Sequence, residues 1–224
     1  MIYYPALSAV QLAPAITGSK SLNNFLRAVN YDYASITPDA AKDTITKYNQ
    51  TFNDISSTLY KTLICTVRNP YARFAARWQR NTLQRQSQSL TPFTFEEWIT
   101  DYNNNHWVAP LLTEGLWEHR ITSNANFQFG QITAEFTACG IDPSSITYIH
   151  LENFQNDVKT IPHVDVTKAA QASAFNDFIV TDCWSGADYP NWKSVYTTDL
   201  ANKVYTAFSG DFAAFGYDQN SWQS

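Results

Sequence analysis

Short apolar runs alternate with amphipathic segments along the chain, which is typical of strands joined by crossover helices. The clearest strand is Thr62 to Val67, an uncharged and partly β-branched run. Residues 8–12 and 146–151 predict two further strands, and residues 178–181 a weaker fourth. We therefore expect an α/β fold with a central, mostly parallel sheet flanked by helices.

Helix signals fall between these runs. A threonine and proline at 37–38 can cap one helix, and Thr94 to Glu97 is a capping box that begins another. Apolar residues from Leu200 to Phe215 recur every 3.6 residues, which predicts a long helix whose stripe serves the core. The Ser/Gln-rich residues 84–89 predict a surface loop.

The size and charge of the chain limit its function. It has 224 residues, no internal repeat and no linker-like stretch, so we expect a single domain over residues 1–224. Charged residues make up 16% and aromatic residues 15%, and the net charge is -5. An acidic chain with so few cations lacks the broad basic surface that nucleic acid or anionic lipid requires.

The cysteines and the N-terminus bear on the compartment. Cys65, Cys139 and Cys183 are widely spaced and have no Cys/His cluster near them, which argues against a zinc site or a disulfide framework. No basic residue precedes Lys20, and no stretch reaches the roughly 20 apolar residues of a membrane span. We expect a soluble cytoplasmic protein with no metal.

A possible anion-binding loop follows the first predicted strand and precedes an amphipathic segment. It consists of Thr17, Gly18, Ser19, Lys20, Ser21 and Leu22. A glycine and small hydroxyl residues at a strand-to-helix turn let backbone N–H groups point at an anion, and Lys20 adds a full charge. The spacing differs from Gly-Lys-Ser/Thr of a phosphate-binding loop, so a plain capped helix start is an equal alternative.

Arginines are concentrated after the clearest strand. Five of the seven lie within 18 residues, at positions 68, 73, 77, 80 and 85. Arg68 follows the strand end, where ligands of open α/β sheets bind, and guanidinium groups match phosphate or sulfate oxygens. The later arginines at 77, 80 and 85 are better read as a solvated basic face.

These segments together are similar to a known family. Val67-Arg68-Asn69-Pro70-Tyr71-Ala72-Arg73-Phe74 resembles the Val-Arg-Asp-Pro-Tyr-x-Arg-Leu signature of sulfotransferases of the carbohydrate, Golgi-enzyme type. Residues 17–22 resemble their Thr-Gly-Ser-Thr-Ser-Leu loop. Further similar segments follow in order, at residues 93–98, 106–110, 151–157 and 204–217. The resemblance extends from about residue 15 to residue 218.

The resemblance implies a P-loop-like sulfotransferase fold and sulfuryl transfer from 3′-phosphoadenosine 5′-phosphosulfate to a hydroxyl or amine. Residues 17–22 would hold the 5′-phosphosulfate, and Arg68 the 3′-phosphate. Two positions depart from the family, since Ile16 replaces a lysine and Ala76 a serine. By hypothesis Lys20 supplies the missing charge, and Arg73 or Arg77 compensates at the 3′-phosphate.

The catalytic base is assigned to His106, within the His-Trp segment, because imidazole titrates near neutral pH. His119 and His150 are the other histidine candidates, and His150 is expected to be structural because it lies in a predicted strand. The carboxylates considered behind the histidines are Glu114, Glu118 and Glu152.

The acceptor follows from charge, because an acidic protein repels a heavily sulfated polymer. A neutral saccharide or small hydroxylated metabolite is therefore expected. Two other classes stay open. One is a catalytically degenerate nucleotide-binding protein of the sulfotransferase fold. The other is a P-loop kinase, although the Gly-Lys-Ser/Thr motif that such a kinase requires is absent from residues 17–22.

Overall fold

The computed structural model describes residues 2–12, 18–29, 34–35, 61–104, 131–138, 141–165, 167 and 192–223. The strands among them are β1 (Ile2–Tyr4), β2 (Ala9–Leu12), β3 (Ala34–Ser35), β4 (Thr62–Val67) and β5 (Ile146–His150). The α-helices are α1 (Ser19–Ala28), α2 (Pro70–Ser87), α3 (Phe95–Asn104), α4 (Ile132–Ala138), α5 (Phe154–Asp157) and α6 (Thr198–Phe215). Short 3-10 helices occupy Pro5–Leu7, Pro143–Ser145, Leu151–Asn153, Val158–Thr160 and Trp192–Val195.

The chain divides into two compact units. The sheet unit comprises residues 1–68 and 136–183, and the helical unit comprises residues 69–135 and 184–224. The sheet unit contains every described strand, and the helical unit contains α2, α3 and α6. That residues 1–224 form a single domain stays a prediction.

The described strands form one sheet in the order β3-β1-β2-β4-β5. Strands β2, β4 and β5 are parallel, whereas β1 is antiparallel to both of its neighbours. This confirms the α/β class and a parallel sheet of three strands with helices. The apolar runs predicted as strands at 8–12, 62–67 and 146–151 correspond to these three strands. Strands β2 and β4 are buried along nearly their whole length, as near-continuous apolar sequence predicts, whereas β5 buries only Ile146 and Ile149.

Helix α1 packs through its predicted apolar face. Leu22, Phe25 and Leu26 are fully buried and share a core with Ile64 of β4 and with Ile149 of β5. Each such side chain contributes roughly 1.5–3 kcal/mol by leaving water. The apolar face of α1, formed by these side chains, therefore attaches the helix to the sheet unit.

Aromatic edge-to-face contacts build the core of the helical unit. The ring of Phe74 on α2 lies 6.2 Å from Phe95, 6.4 Å from Trp98 and 5.9 Å from Phe208. Such pairs add about 0.5–1.5 kcal/mol beyond the area they bury. The high aromatic content of the sequence therefore serves packing in this unit.

Two predicted helix boundaries are present, as expected. In the capping box before α3, the Thr94 N–H donates to Glu97 Oε2 at 2.8 Å, and the Glu97 N–H donates to Thr94 Oγ1 at 3.1 Å. The predicted C-terminal helix is α6, which ends at Phe215 and is capped by Gly216 in the left-handed conformation (φ 71°). Its stripe residues Leu200 and Phe212 are buried.

The surface loop predicted over residues 84–89 is only partly correct, because α2 continues through Ser87. The helix ends in a Schellman arrangement around Ser89 (φ 60°), where the Leu90 N–H donates to the Arg85 carbonyl at 2.8 Å. Glutamine is a good helix former, so this polar run extends the helix. The predicted strand at 178–181 and the cap at 37–38 lie outside the described residues.

Within the described ranges, no helix is both long and apolar enough to cross a membrane.

Candidate functional site

The carboxyl ends of the three parallel strands meet at one edge of the sheet unit. Leu12 ends β2, Val67 ends β4 and His150 ends β5, and Val67 is paired directly with His150. Arg68 follows Val67, and α1 begins after β2. Loops at this edge are where open parallel sheets place ligands. We call this region the strand edge.

Gly18 shapes the turn into α1. It is buried with φ 87°, a conformation that favours glycine, and its carbonyl accepts the first helical hydrogen bond from the Leu22 N–H at 3.2 Å. A β-carbon at this position would lie 2.7 Å from Cδ1 of Leu151. The start of α1 therefore lies beside the residue that follows β5, at the strand edge.

The groups at this edge suit an anion. The first-turn N–H groups of any α-helix have no partner within the helix, and they carry the positive end of the helix dipole. Ser19 and Lys20 are the first two residues of α1. The half-buried Arg68 adds a full positive charge from the neighbouring strand. The arrangement can bind phosphate or sulfate oxygens.

The other predicted loop residues divide between described and undescribed positions. Ser21 and Leu22 are buried in the first turns of α1, at 4% and 0% exposure. Thr17 and the expected base His106 lie outside the described residues, as does Ile16. His119, Glu114 and Glu118, which were also considered as a base, lie outside the described residues as well. Glu152 is exposed in the 3-10 helix after β5.

Helix α2 belongs to the helical unit, and two of its arginines, Arg73 and Arg77, are buried, while the side chain of Arg80 lies outside what the structure describes. Arg73 is 3% exposed, and its Nη1 lies 3.8 Å from Oδ2 of Asp211. Arg77 is 2% exposed, so the expectation of a solvated face is wrong for it. Arg85 instead donates through Nε to the Thr91 carbonyl at 2.7 Å. Arg73 and Arg77 are buried because the part of α2 around Phe74 packs within the aromatic core.

Arg73 thus has a structural partner within its own unit. The carboxylate of Asp211 also accepts hydrogen bonds from the backbone N–H groups of Ile132 and Thr133, at 2.8 Å and 3.0 Å. Burial raises the pKa of Asp211, against the lowering effect of the Arg73 charge and these donors. The assignment of Arg73 to a donor phosphate stays a prediction.

A histidine–aspartate pair at the strand edge was not expected from the sequence. His150 Nδ1 lies 2.6 Å from Oδ2 of Asp157, and the His150 backbone N–H donates to the same oxygen at 2.8 Å. Asn153 donates through Nδ2 to the other carboxylate oxygen. The sequence places Asp157 seven residues after His150, but it does not show that the 3-10 helix at Leu151–Asn153 returns the carboxylate to the strand end.

Two further expectations from the sequence concern the cysteines and metal binding. Cys65, within β4, is a buried thiol that donates to the Thr66 carbonyl at 3.3 Å. Across the ranges that the structure describes, no group of three or more His, Cys, Asp or Glu side chains is arranged to hold a metal ion.

Comparison with known proteins gives no match: no family model, no curated protein and no solved structure is significantly similar to the chain.

Proposed function

We propose that the protein is a sulfotransferase that moves a sulfuryl group from 3′-phosphoadenosine 5′-phosphosulfate to a hydroxyl or amine. One observation carries the proposal. The start of α1 at Gly18 and the guanidinium-bearing Arg68 follow adjacent parallel strands, in one compact unit. The order of similar sequence segments supports the identity of the donor and a P-loop-like sulfotransferase fold.

The two groups have complementary tasks. The first-turn N–H groups of α1 hold the 5′-phosphosulfate, where they stabilise the negative charge that develops on the leaving oxygen. Arg68 forms a charge-assisted pair with the 3′-phosphate and so fixes the orientation of the donor. By sequence alignment, Lys20 supplies the cation that Ile16 does not.

A sulfate donor fits the sequence better than ATP does. A P-loop kinase requires Gly-Lys-Ser/Thr, whereas here Ser19 separates Gly18 from Lys20. Phosphoryl transfer from ATP also requires a carboxylate that holds magnesium, and the sequence shows no such motif. The acceptor is a neutral saccharide or a small hydroxylated metabolite, because the net charge of -5 repels polyanionic acceptors.

One observation favours a second candidate, a nucleotide-binding protein without transferase activity. The Arg73 guanidinium, offered above as compensation for Ala76, lies against Asp211 inside the helical unit. With Ile16 also in place of a lysine, the two family contacts would then depend on Lys20 and Arg77 alone. Binding and turnover must therefore be measured separately.

Binding is tested by calorimetry with adenosine 3′,5′-bisphosphate and, separately, with ATP and Mg²⁺. We expect the bisphosphate to bind more tightly, and Arg68→Ala to weaken it about 10- to 100-fold, as loss of a charged hydrogen-bond partner does. Lys61→Ala is the matched control, because Lys61 is exposed at the opposite end of the same strand. Tighter binding of ATP with Mg²⁺, or equal affinity of wild type and Arg68→Ala, contradicts the proposal.

Turnover is tested with the ³⁵S-labelled donor, with methyl glycosides and water as acceptors. We expect Lys20→Ala to lower turnover more than it lowers affinity for the bisphosphate, since its charge acts on the leaving group. A wild type that binds the bisphosphate without releasing it from the donor supports the second candidate. Turnover of Lys20→Ala at the wild-type rate removes Lys20 from the mechanism.

A further inference from the structure

His150 ends β5 at the strand edge, where Arg68 and the start of α1 also lie. His150 is the paired neighbour of Val67, so Arg68 comes next on the adjacent strand. Leu151, the residue after His150, is the contact that a β-carbon on Gly18 would meet at 2.7 Å. Two independent relationships within the sheet unit therefore place the backbone of His150 at the same edge as Arg68 and the start of α1.

The ring is held in one orientation. Asp157 Oδ2 lies 2.6 Å from Nδ1 and also accepts the His150 backbone N–H at 2.8 Å. Its second oxygen accepts from Asn153, whose own Oδ1 accepts from Asn156 at 2.8 Å. The Asp157 side chain is 14% exposed and that of His150 is 31% exposed. The carboxylate is thus anchored, while the ring is accessible to a solute.

This geometry selects a tautomer. A carboxylate against Nδ1 favours the neutral form in which Nδ1 carries the proton, so the lone pair lies on Nε2. The lone pair on Nε2 can then accept a proton while Asp157 keeps the ring in place.

We propose that His150 is the proton acceptor of this site and that Asp157 is its positioning residue. The inference rests on the proposed function. An acceptor hydroxyl oxygen forms the new O–S bond, and the bond between sulfur and the phosphate oxygen breaks. Its electron pair leaves with adenosine 3′,5′-bisphosphate, and the hydroxyl proton passes to Nε2 of His150.

The test compares binding and turnover in one series of variants. In His150→Asn, we expect kcat for release of the bisphosphate from the donor to fall about 100-fold or more, as loss of a general base does. The Kd for adenosine 3′,5′-bisphosphate is expected to stay within twofold of wild type. His163→Asn is the matched control, because His163 is exposed in the same unit and its positive φ of 67° suits asparagine. It should keep wild-type kcat.

Asp157 needs a readout that a merely structural role does not move. The ¹⁵N chemical shifts of the His150 ring report the tautomer, and we expect Nδ1–H in wild type and a mixture in Asp157→Asn. In that variant kcat should fall about 10-fold or more without a matching change in KM. Asp157→Glu should restore part of kcat.

The outcomes separate the two proposals. Wild-type kcat in His150→Asn, or an Nε2–H tautomer in wild type, overturns this inference and leaves the sulfotransferase proposal standing. A wild type that binds the bisphosphate but shows no turnover also overturns it, and retains the nucleotide site alone. Failure to bind the bisphosphate overturns both. Should His150→Asn fail to fold, His150→Gln is measured instead and decides by the same criteria.

Discussion

Asp211 Oδ2 lies 3.8 Å from Nη1 of Arg73, and both side chains are buried. The same carboxylate accepts from the backbone N–H groups of Ile132 and Thr133, the first two residues of α4, and from the Thr133 hydroxyl at 2.9 Å. A residue of α6 thereby performs the capping that a local N-cap usually performs. One buried carboxylate ties together α2, α4 and α6.

Removal of this carboxylate is expected to be costly. Asp211→Ala leaves the Arg73 charge buried without its partner and the start of α4 without its acceptor. We expect the free energy of unfolding in urea to fall by about 3–5 kcal/mol, which is the range for breaking a buried ion pair from one side. Asp199→Ala, in the exposed first turn of the same helix, should change it by less than about 1 kcal/mol.

The double variant Arg73→Leu with Asp211→Leu distinguishes loss of the ion pair from loss of the α4 cap as the cause of the lower stability. Because the pair is removed from both sides, it should lose less stability than Asp211→Ala. If the double variant is as unstable as the sum of its single variants, the capping of α4 and not the ion pair is responsible.

Alkaline pH should act on Tyr71. Its hydroxyl donates to the Gln219 carbonyl at 2.7 Å, and burial, followed by the nearby Tyr205 and Asp218, raises its pKa to about 12. The folded protein keeps this proton at a pH where the unfolded chain, with a pKa of about 10, has lost it. The contribution to stability is therefore complete below pH of about 10 and is lost as pH rises through about 12.

Denaturant unfolding at several pH values from about 9 to 12 measures this loss, and Tyr71→Phe should show a shallower decline than wild type. Tyr148→Phe is the control, because Tyr148 belongs to the sheet unit and its hydroxyl donates to Pro143 instead. An equal slope in wild type and Tyr71→Phe shows that other groups govern alkaline unfolding.

What the sequence predicted of the fold depended on local signals. The strand from Thr62 to Val67 and the capping box at Thr94 were predicted at the positions observed, because both are encoded within a few neighbouring residues. Strand β1 was missed, since three residues are too few for a period and their pairing with β2 is tertiary. The Arg73–Asp211 pair spans two distant helices, so no local pattern contains it.

At the strand edge, too, some features were predictable from the sequence and others were not. The resemblance implied that the loop at Gly18 and Arg68 hold one donor, and in the structure they follow adjacent parallel strands, whose carboxyl ends share one edge of the sheet. The catalytic base was assigned to His106, which lies outside the described residues, whereas His150 was read as a structural strand residue. Its pairing with Asp157 depends on a turn whose path only the structure gives.

The capping box gives a prediction in the helical unit. Thr94→Ala removes the side-chain acceptor at the start of α3 and should lower the free energy of unfolding by about 1 kcal/mol. Thr94→Ser keeps the hydroxyl and should be close to wild type. A loss of the same size in both variants would assign the effect to the threonine methyl group.

The same box lowers the pKa of Glu97, through the backbone N–H and then the hydroxyl of Thr94. Because the folded pKa lies below the unfolded one, this contribution to stability is present above the ordinary pKa and is lost as pH falls through the lowered value. NMR titration of the Glu97 carboxyl should show the pKa moving toward its ordinary value in Thr94→Ala.

Gly18 and Gly216 provide a matched pair of left-handed glycines, with φ of 87° and 71°. A β-carbon on Gly216 would meet nothing within 4 Å, so Gly216→Ala measures the conformational cost alone, about 1–2 kcal/mol. Gly18→Ala adds the contact with Leu151 and should cost more in urea unfolding. Leu151→Ala in the Gly18→Ala background should recover only the excess.

The Gly18→Ala and Gly216→Ala variants also distinguish an effect on ligand binding from an effect on stability. Gly18→Ala displaces the start of α1 at the strand edge, so we expect it to weaken adenosine 3′,5′-bisphosphate by at least about 10-fold, or about 1.4 kcal/mol. Gly216→Ala, beyond the end of α6, should leave that affinity unchanged. Equal affinity in both variants, with the protein still folded, would place the anion away from the α1 terminus and would contradict the role given to its N–H groups.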